Sequence, residues 1–246
     1  MQSWLRSIRF FSHRFADLWL QSTCPLCQRS ASQPLCPACE RQLHQLQIPS
    51  DQQSWQPPIP VFAWGYYGGS LKRAIAALKY DAQPQLARPL GDWLGQSWLS
   101  YHCFNQRSQE SQQLNQRSPR SLIVVPIPLH PQKQQQRGFN QAELLAQSFC
   151  QRTGLPLFAA GLHRDRETVA QFGLSASDRK TNLAGAFSVN PDLRRRFPQA
   201  AVLLLDDIYT TGATANQATA ILRRHQISVC GIVALAKATA HPAASP

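Results

Sequence analysis

"VLLLDDIYTTGAT", residues 202–214, starts with aliphatic side chains, continues with two adjacent acids and ends in hydroxyl side chains around one glycine. The continuous apolar run predicts a buried strand of a parallel sheet. The segment that follows, "ATANQATAILRRHQ", has the spacing of a crossover helix. Ligands of such sheets bind outside the carboxyl ends of the strands. Asp206, Asp207 and the hydroxyl loop are therefore predicted to lie at a ligand-binding edge.

The loop and the acids suit different parts of one ligand. A helix start presents free N–H groups and a positive dipole end, which favour a phosphate, and Gly212 allows a close backbone approach. A phosphate would repel the two carboxylates, so these need hydroxyl groups or Mg²⁺ as partners. Phosphoribosyl pyrophosphate combines a phosphate, a ribose diol and a metal-binding group. The alternative is an ordinary strand end, with Asp207 as a cap and the loop as a turn.

The rest of the chain alternates strand and helix patterns. Strands are predicted in "VFAWGYYGG", "LIVVPIP", "LPLFAAGLHR" and "SVCGIVALA", and helices in "SLKRAIAALKY", around Trp93 and in "FNQAELLAQSFCQRTG". This order predicts an α/β fold, a parallel sheet flanked by helices. Asn140 and Glu143 resemble a capping box, so Asn140 and Gln141 could serve either the helix or a ligand.

Cys24, Cys27, Cys36 and Cys39 form two C-x₂-C pairs near the N-terminus. Two such pairs can close a tetrahedral structural zinc site, whose binding energy would fold a small module. Two disulfides or a redox-active pair are the alternatives. The scattered Cys103, Cys150 and Cys230 are interpreted as core residues.

Composition favours a globular, basic protein with a polyanionic partner. The chain has 246 residues, 43% of them hydrophobic, and a net charge of +12. A basic surface suits nucleic acid or phosphorylated metabolites, although it can also be a solvated face. No signal peptide or membrane span is recognised, which predicts a cytoplasmic location. The predicted organisation is an N-terminal helix (1–21), a cysteine module (22–45), a linker (46–57) and a main domain (58–240) with a flexible insertion at 102–120.

The motifs together resemble a known family. "VLLLDDIYTTGAT" is similar to the phosphoribosyl pyrophosphate signature of type I phosphoribosyltransferases. The chain as a whole resembles the ComF family, associated with competence and DNA utilisation in bacteria. The resemblance rests on the cysteine pairs, "GSLKRAIAALKY", "VVPIPLHPQKQQQRGFNQAELLA", "LHRDRETVAQFGLSASDRKTNLAGAF" and the signature, in that order. It implies a type I phosphoribosyltransferase-like sheet with a small four-cysteine zinc module.

The resemblance also implies roles for individual residues. Asp206 and Asp207 would hold the ribose hydroxyls and Mg²⁺. The segment 164–182 would cover the site. The 5′-phosphate would be held by Thr210, Thr211, Gly212, Ala213 and Thr214. The pyrophosphate would lie against Leu129, His130 and Arg137. The cations that could stabilise its developing charge are Arg137 and, on the covering segment, Arg164, Arg179 and Lys180. Each of these cations could instead be solvated, and Lys79, a further candidate, could simply complement a helix dipole.

Two functions follow as hypotheses. The first is Mg²⁺-dependent phosphoribosyl transfer from phosphoribosyl pyrophosphate to an unknown acceptor. The second is a non-catalytic module that senses phosphoribosyl pyrophosphate or a nucleotide and binds single-stranded DNA, with DNA-uptake proteins as partners. Departure of pyrophosphate leaves a cationic sugar and a highly charged leaving group, so cations and exclusion of water would assist the first.

Overall fold

The fold comes from a computed structural model, which describes residues 23–53, 55, 59–109, 121–165 and 186–238. The predicted N-terminal helix, residues 110–120 of the predicted insertion and most of the predicted covering segment lie outside these ranges. The fold class and the close grouping of the four cysteines are confirmed within them. The proposed domain boundaries stay a prediction.

Four parallel strands form the central sheet, in the order β1-β6-β5-β2. Their bounds are β1 Val61–Tyr66, β2 Leu122–Pro126, β5 Ala201–Tyr209 and β6 Val229–Lys237. A separate antiparallel pair joins β3, Leu162–Arg164, to β4, Phe187–Val189. The central strands are almost continuously apolar because helices cover both sheet faces.

Helices pack on the two faces in unequal groups. The described helices are α1 Pro37–His44, α2 Gly69–Tyr80, α3 Ala87–Gln109, α4 Pro131–Arg137, α5 Gln141–Thr153, α6 Pro191–Arg196 and α7 Ala213–Arg224. One core joins α2, α3 and α5 to Leu203 and Leu205 of β5. The other joins α7 and the β3–β4 pair to Val202 and Leu204. Successive strand residues thus point to opposite faces, which matters for the acids that follow.

The cysteine module is packed directly against the main domain. Cys24, Cys36 and Cys39 belong to the same buried core as α2 and α3. Residues 46–48, within the segment predicted as a linker, run along the outer edge of β1. Ile48 N–H donates to Trp64 O at 2.8 Å and Tyr66 N–H to Leu46 O at 3.0 Å. The module is therefore held by apolar contacts, and the segment that directly follows it is held by backbone hydrogen bonds to β1.

Local structure departs from the predictions at two places. Helix α3 continues to Gln109, so the first residues of the segment predicted as an irregular insertion are helical. The stretch "LPLFAAGLHR" makes only one isolated bridge to the main sheet, Val124 to Leu157, and its strand β3 pairs elsewhere. A short apolar run does not specify which sheet it joins.

Candidate functional site

The acid pair lies inside β5, near its carboxyl end. The strand runs on to Tyr209, so Asp206 and Asp207 are its sixth and seventh residues and do not lie beyond it, as the sequence suggested. Because strand residues alternate, Asp207 faces the core of α2 and α5, while Asp206 faces the side of α7. Asp207 is buried, with 3% exposure, and Asp206 is only partly buried. The two carboxylates therefore differ in environment.

Asp207 is held by a chain of polar contacts, here called the polar relay, with residues of the three helices α2, α4 and α5. The Lys79 ammonium, at the end of α2, pairs with Asp207 Oδ2. Gln141 Nε2, at the start of α5, donates to Asp207 Oδ1 at 3.2 Å. Arg137 in turn donates to Gln141 Oε1. The relay thus brings together three predicted site residues, Lys79, Arg137 and Asp207. Gln141 forms the hydrogen bonds that link Arg137 to Asp207.

The environment of Asp206 disfavours the ionised form of its carboxyl group. Burial, and then the neighbouring Asp207 carboxylate, raise the pKa of Asp206 well above its usual range. Its Oδ1 accepts the Asp207 backbone N–H at 2.8 Å. A carboxyl in these surroundings gains from a cation or from hydrogen-bond donors brought by a ligand. The residues present therefore fit a divalent cation or a sugar diol at Asp206 better than at Asp207.

The hydroxyl loop forms a tight turn into α7. Gly212 is the N-cap, with φ +74°, and a Cβ there would lie 2.7 Å from Tyr209 Cζ and closer still to its Oη. Thr210 and Thr211 are exposed, whereas Gly212 itself is buried. Thr211 Oγ1 accepts the Ala213 N–H at 3.4 Å. The loop, including the half-buried Thr214, therefore presents hydroxyls at the start of a twelve-residue helix.

The loop after β2 lies beside the acids. Ile127 N–H donates to Leu205 O at 2.8 Å, one residue before Asp206. Leu129 and His130 follow and are partly buried, and His130 is the N-cap of α4. His130 Nδ1 is buried without a hydrogen bond to the described residues. The position of this loop is compatible with its predicted contact with pyrophosphate, which stays a prediction.

Of the three cations predicted on the covering segment, Arg164 lies within the described residues. Arg164 lies on β3 with its guanidinium 5.5 Å from the centre of the Phe187 ring. Arg164 and Leu129 line one open cleft of about 580 Å³. Arg179 and Lys180 lie outside the described residues.

Asn140 has the capping role that the sequence left open. Its side chain accepts the Ala142 N–H at 3.0 Å and donates to Ile127 O at 3.1 Å. It therefore fixes the start of α5 and ties it to the loop after β2. The role of Gln141 was missed because its partner Asp207 is 66 residues away, and no local pattern reveals such a contact.

The cysteine cluster has the geometry of a closed metal site. The Sγ atoms of Cys24, Cys27, Cys36 and Cys39 all lie within 4.8 Å of one another. The Cys39 backbone N–H helps to lower the pKa of the Cys36 thiol to about 6. Burial raises the pKa of the Cys39 thiol. Four converging sulfurs can bind a metal such as zinc and leave no position for a substrate.

Within the described part of the chain, no helix combines the length and hydrophobicity needed to cross a lipid bilayer.

Comparison with known proteins gives a consistent set of relatives. No family model matches the chain. It is 37% identical over 115 residues to "Competence protein F" of Haemophilus influenzae, covering 47% of this chain and 50% of the relative. It is 28% identical over 204 residues to "DNA utilization protein YhgH" of Salmonella typhimurium, covering 83% and 79%. It is 31% identical over 104 residues to "Competence protein ComFC" of Bacillus subtilis, covering 41% and 38%. The first of these matches thus spans half of the relative's length.

Proposed function

We propose that this chain, whose relatives include competence and DNA-utilisation proteins, is a ComF-family protein that binds phosphoribosyl pyrophosphate with Mg²⁺ and transfers the phosphoribosyl group to an acceptor during DNA utilisation. One observation carries the proposal. A partly buried acid with a raised pKa, Asp206, lies near the carboxyl end of β5, and the strand leads into an exposed hydroxyl loop that opens α7.

The hydroxyl loop is the proposed 5′-phosphate site. The backbone N–H groups at the start of α7 and the hydroxyls of Thr210, Thr211 and Thr214 supply donors without a charged side chain. Gly212 lets the backbone turn with φ +74°, a conformation that L side chains rarely adopt. The loop can therefore surround a phosphate closely.

Asp206 and Asp207 have different proposed roles at the ribose. Asp206 accepts hydrogen bonds from the ribose diol or holds Mg²⁺, which relieves its repulsion from Asp207. Asp207, paired with Lys79, positions the end of β5 and adds negative potential where the sugar becomes cationic. Bound Mg²⁺ would supply positive charge to the pyrophosphate oxygens.

The leaving group departs toward the loop after β2. The bond between ribose C1 and the pyrophosphate oxygen breaks, and its electron pair goes to pyrophosphate. The lone pair of an acceptor nitrogen forms the new C1–N bond, and the nitrogen loses its proton to water. The proposed contacts to the charge that develops on pyrophosphate come from Arg137 and His130, at the two ends of α4, and from Leu129 and Arg164, which line one cleft.

Pyrophosphate release tests the transfer step. Zinc-loaded protein is mixed with phosphoribosyl pyrophosphate, Mg²⁺ and a panel of nucleobases and small amines, with Asp206→Asn as the control. We expect acceptor-dependent pyrophosphate release from the parent and about a hundredfold less from the variant. Binding of phosphoribosyl pyrophosphate without release for any acceptor would contradict transfer.

A second candidate function, binding of single-stranded DNA, is favoured by a basic patch at the opposite end of the sheet. We define this amino-edge patch by exposed side chains at the ends of α6 and α7: Arg194, Arg195, Arg196, Arg223, Arg224 and His225. Arg194, Arg224 and His225 line one cavity of about 390 Å³. Asp192, on the same helix, pairs with Arg195 at 2.8 Å. The patch has more positive charges than are needed to complement the dipoles of two helices. Guanidinium groups bind the phosphates of a nucleic-acid backbone well.

Anisotropy with a fluorescent oligothymidine tests the amino-edge patch. Arg194→Gln/Arg224→Gln should weaken binding about tenfold. The slope of log K against log salt concentration should decrease by the amount expected for the loss of about two phosphate contacts. Arg41→Gln/Arg88→Gln removes the same charge elsewhere and should have a smaller effect. Equal loss in the two variants, or binding unaffected by salt, would contradict the second function.

A further inference from the structure

Gln141 is a buried polar side chain to which the proposed function gives no role. It is 4% exposed, at the start of α5. Its amide joins two charged groups from separate elements: Nε2 donates to Asp207 Oδ1 at 3.2 Å, and Oε1 accepts a hydrogen bond from Arg137. A buried amide that is bonded at both ends holds one orientation. Gln141 therefore fixes the position of the Arg137 guanidinium relative to Asp207.

The two partners of Gln141 require an amide between them. A carboxylate only accepts hydrogen bonds and a guanidinium only donates them, so the bridging group needs a donor at one end and an acceptor at the other. Glutamate would place a second negative charge against Asp207, and lysine would place a second positive charge against Arg137. Methionine has a similar length and forms neither bond. The cap of α5 is Asn140, so the side chain at position 141 is free to form this bridge.

Arg137 depends on this bridge because its own helix is poorly anchored. It is the last residue of α4, and the other six residues of that helix are exposed. Two side-chain contacts tie this end of α4 to the rest of the fold: the hydrogen bond to Gln141, and the Tyr80 ring, whose centre lies 5.5 Å from the guanidinium carbon. Without Gln141, the long Arg137 side chain regains rotamer freedom that a ligand must then remove.

We propose that Gln141 is a positioning residue that holds the Arg137 guanidinium in the orientation that binds pyrophosphate. This inference rests on the proposed phosphoribosyl site and adds to it a residue that touches no substrate. A guanidinium has five N–H groups, so the bond to Gln141 leaves donors for phosphate oxygens. Because the guanidinium is already ordered, pyrophosphate binds without the cost of ordering it. Asp207 keeps the Lys79 ammonium as a partner, so loss of Gln141 should affect the ribose end of the site much less.

Calorimetric titration of the zinc-loaded full chain, in the presence of Mg²⁺, with pyrophosphate, phosphoribosyl pyrophosphate and ribose 5-phosphate tests this role. We expect Gln141→Met to bind the two pyrophosphate-containing probes about tenfold more weakly and ribose 5-phosphate within about twofold of the parent. Gln141→Asn keeps an amide at the buried position but is too short to reach both partners. It should give the same result, and it replaces Gln141→Met if that variant does not fold. Gln147→Met, at an exposed position of the same helix, should leave all three affinities unchanged.

A double-mutant cycle separates positioning from general structural damage. Arg137→Met should also weaken binding of the two pyrophosphate-containing probes. Arg137→Met/Gln141→Met should bind them no more weakly than Arg137→Met alone, because Gln141 acts only through Arg137. Additive losses in the double variant overturn the positioning role. Equal weakening of ribose 5-phosphate and pyrophosphate in Gln141→Met overturns it as well.

The outcomes in the parent separate this inference from its premise. If the parent binds pyrophosphate and neither Gln141 variant changes that affinity, the positioning role alone is overturned. A parent that binds ribose 5-phosphate but not pyrophosphate rules out Arg137 as a pyrophosphate contact, and the positioning role with it. Failure of the parent to bind both phosphoribosyl pyrophosphate and ribose 5-phosphate overturns the proposed phosphoribosyl site itself.

Discussion

The Lys79 ammonium pairs with the buried carboxylate of Asp207 and joins the end of α2 to the central strand β5. Lys79 is 17% exposed and Asp207 is 5% exposed at their side chains, so solvent screens the pair weakly. The contact fixes the acid that precedes the hydroxyl loop. It also gives Lys79 a partner within the fold, beyond the helix dipole that its position suggested.

Removal of the Lys79 charge should destabilise the protein. Lys79→Met leaves Asp207 buried without its cation, and we expect the free energy of unfolding to fall by about 3 kcal/mol in urea denaturation. Lys79→Met/Asp207→Asn should recover part of the loss because no charge is then stranded. Lys72→Met, on an exposed position of the same helix, is the matched control. Equal effects of Lys79→Met and Lys72→Met would contradict a stabilising pair.

Asp206 should give the opposite result, with a defined pH dependence. Its pKa is raised in the folded protein, so the folded state binds the proton more tightly than the unfolded chain. This contribution to stability is fully present at pH values below the pKa of Asp206 in the unfolded chain. It is lost as the pH rises through the pKa of Asp206 in the folded protein. Asp206→Asn should therefore raise Tm by roughly 3 °C at pH 8 and by less at pH 4. Calorimetric scans from pH 4 to 8 measure this, and a Tm gain that shrinks as pH rises would refute it.

Gly212 should tolerate a side chain poorly. Its φ of +74° disfavours L-residues, and a Cβ would also lie 2.7 Å from Tyr209 Cζ. Gly154 has φ +73° with open space around it, so Gly154→Ala isolates the backbone cost, about 1 kcal/mol. We expect Gly212→Ala to lose more stability than Gly154→Ala, because the Tyr209 ring must also move. Thermal unfolding of the two variants gives the difference, and equal losses would exclude the steric effect.

Metal removal should destabilise the whole domain, because the cysteines share a core with α2 and α3. We expect about one zinc per chain by elemental analysis, and a chelator should lower Tm by roughly 10 °C. Cys36→Ser should lose the zinc, whereas Cys150→Ser, at a buried cysteine outside the cluster, should keep it. A chelated protein with unchanged Tm would argue against a structural metal.

Local patterns predicted the fold and the candidate site to different extents. The strand β5, the loop at Gly212 and the cysteine pairs were predictable because each depends on residues adjacent in sequence. The contacts of Asp207 with Lys79 and Gln141 were not predictable from the sequence. These residues lie on separate elements that meet only when α2 and α5 pack on the same sheet face. The pairing of residues 46–48 with β1 was hidden for the same reason, since their composition resembles a linker.

The most direct test of the phosphoribosyl site is calorimetric titration of the zinc-loaded chain with phosphoribosyl pyrophosphate, with and without Mg²⁺, in parallel with Asp206→Asn. The parent should bind at one site in a Mg²⁺-dependent manner. The variant should lose this binding although its Tm is higher, which excludes misfolding as the cause. Absence of binding by the folded parent, or equal binding by the two proteins, would contradict the assignment of this site to phosphoribosyl pyrophosphate.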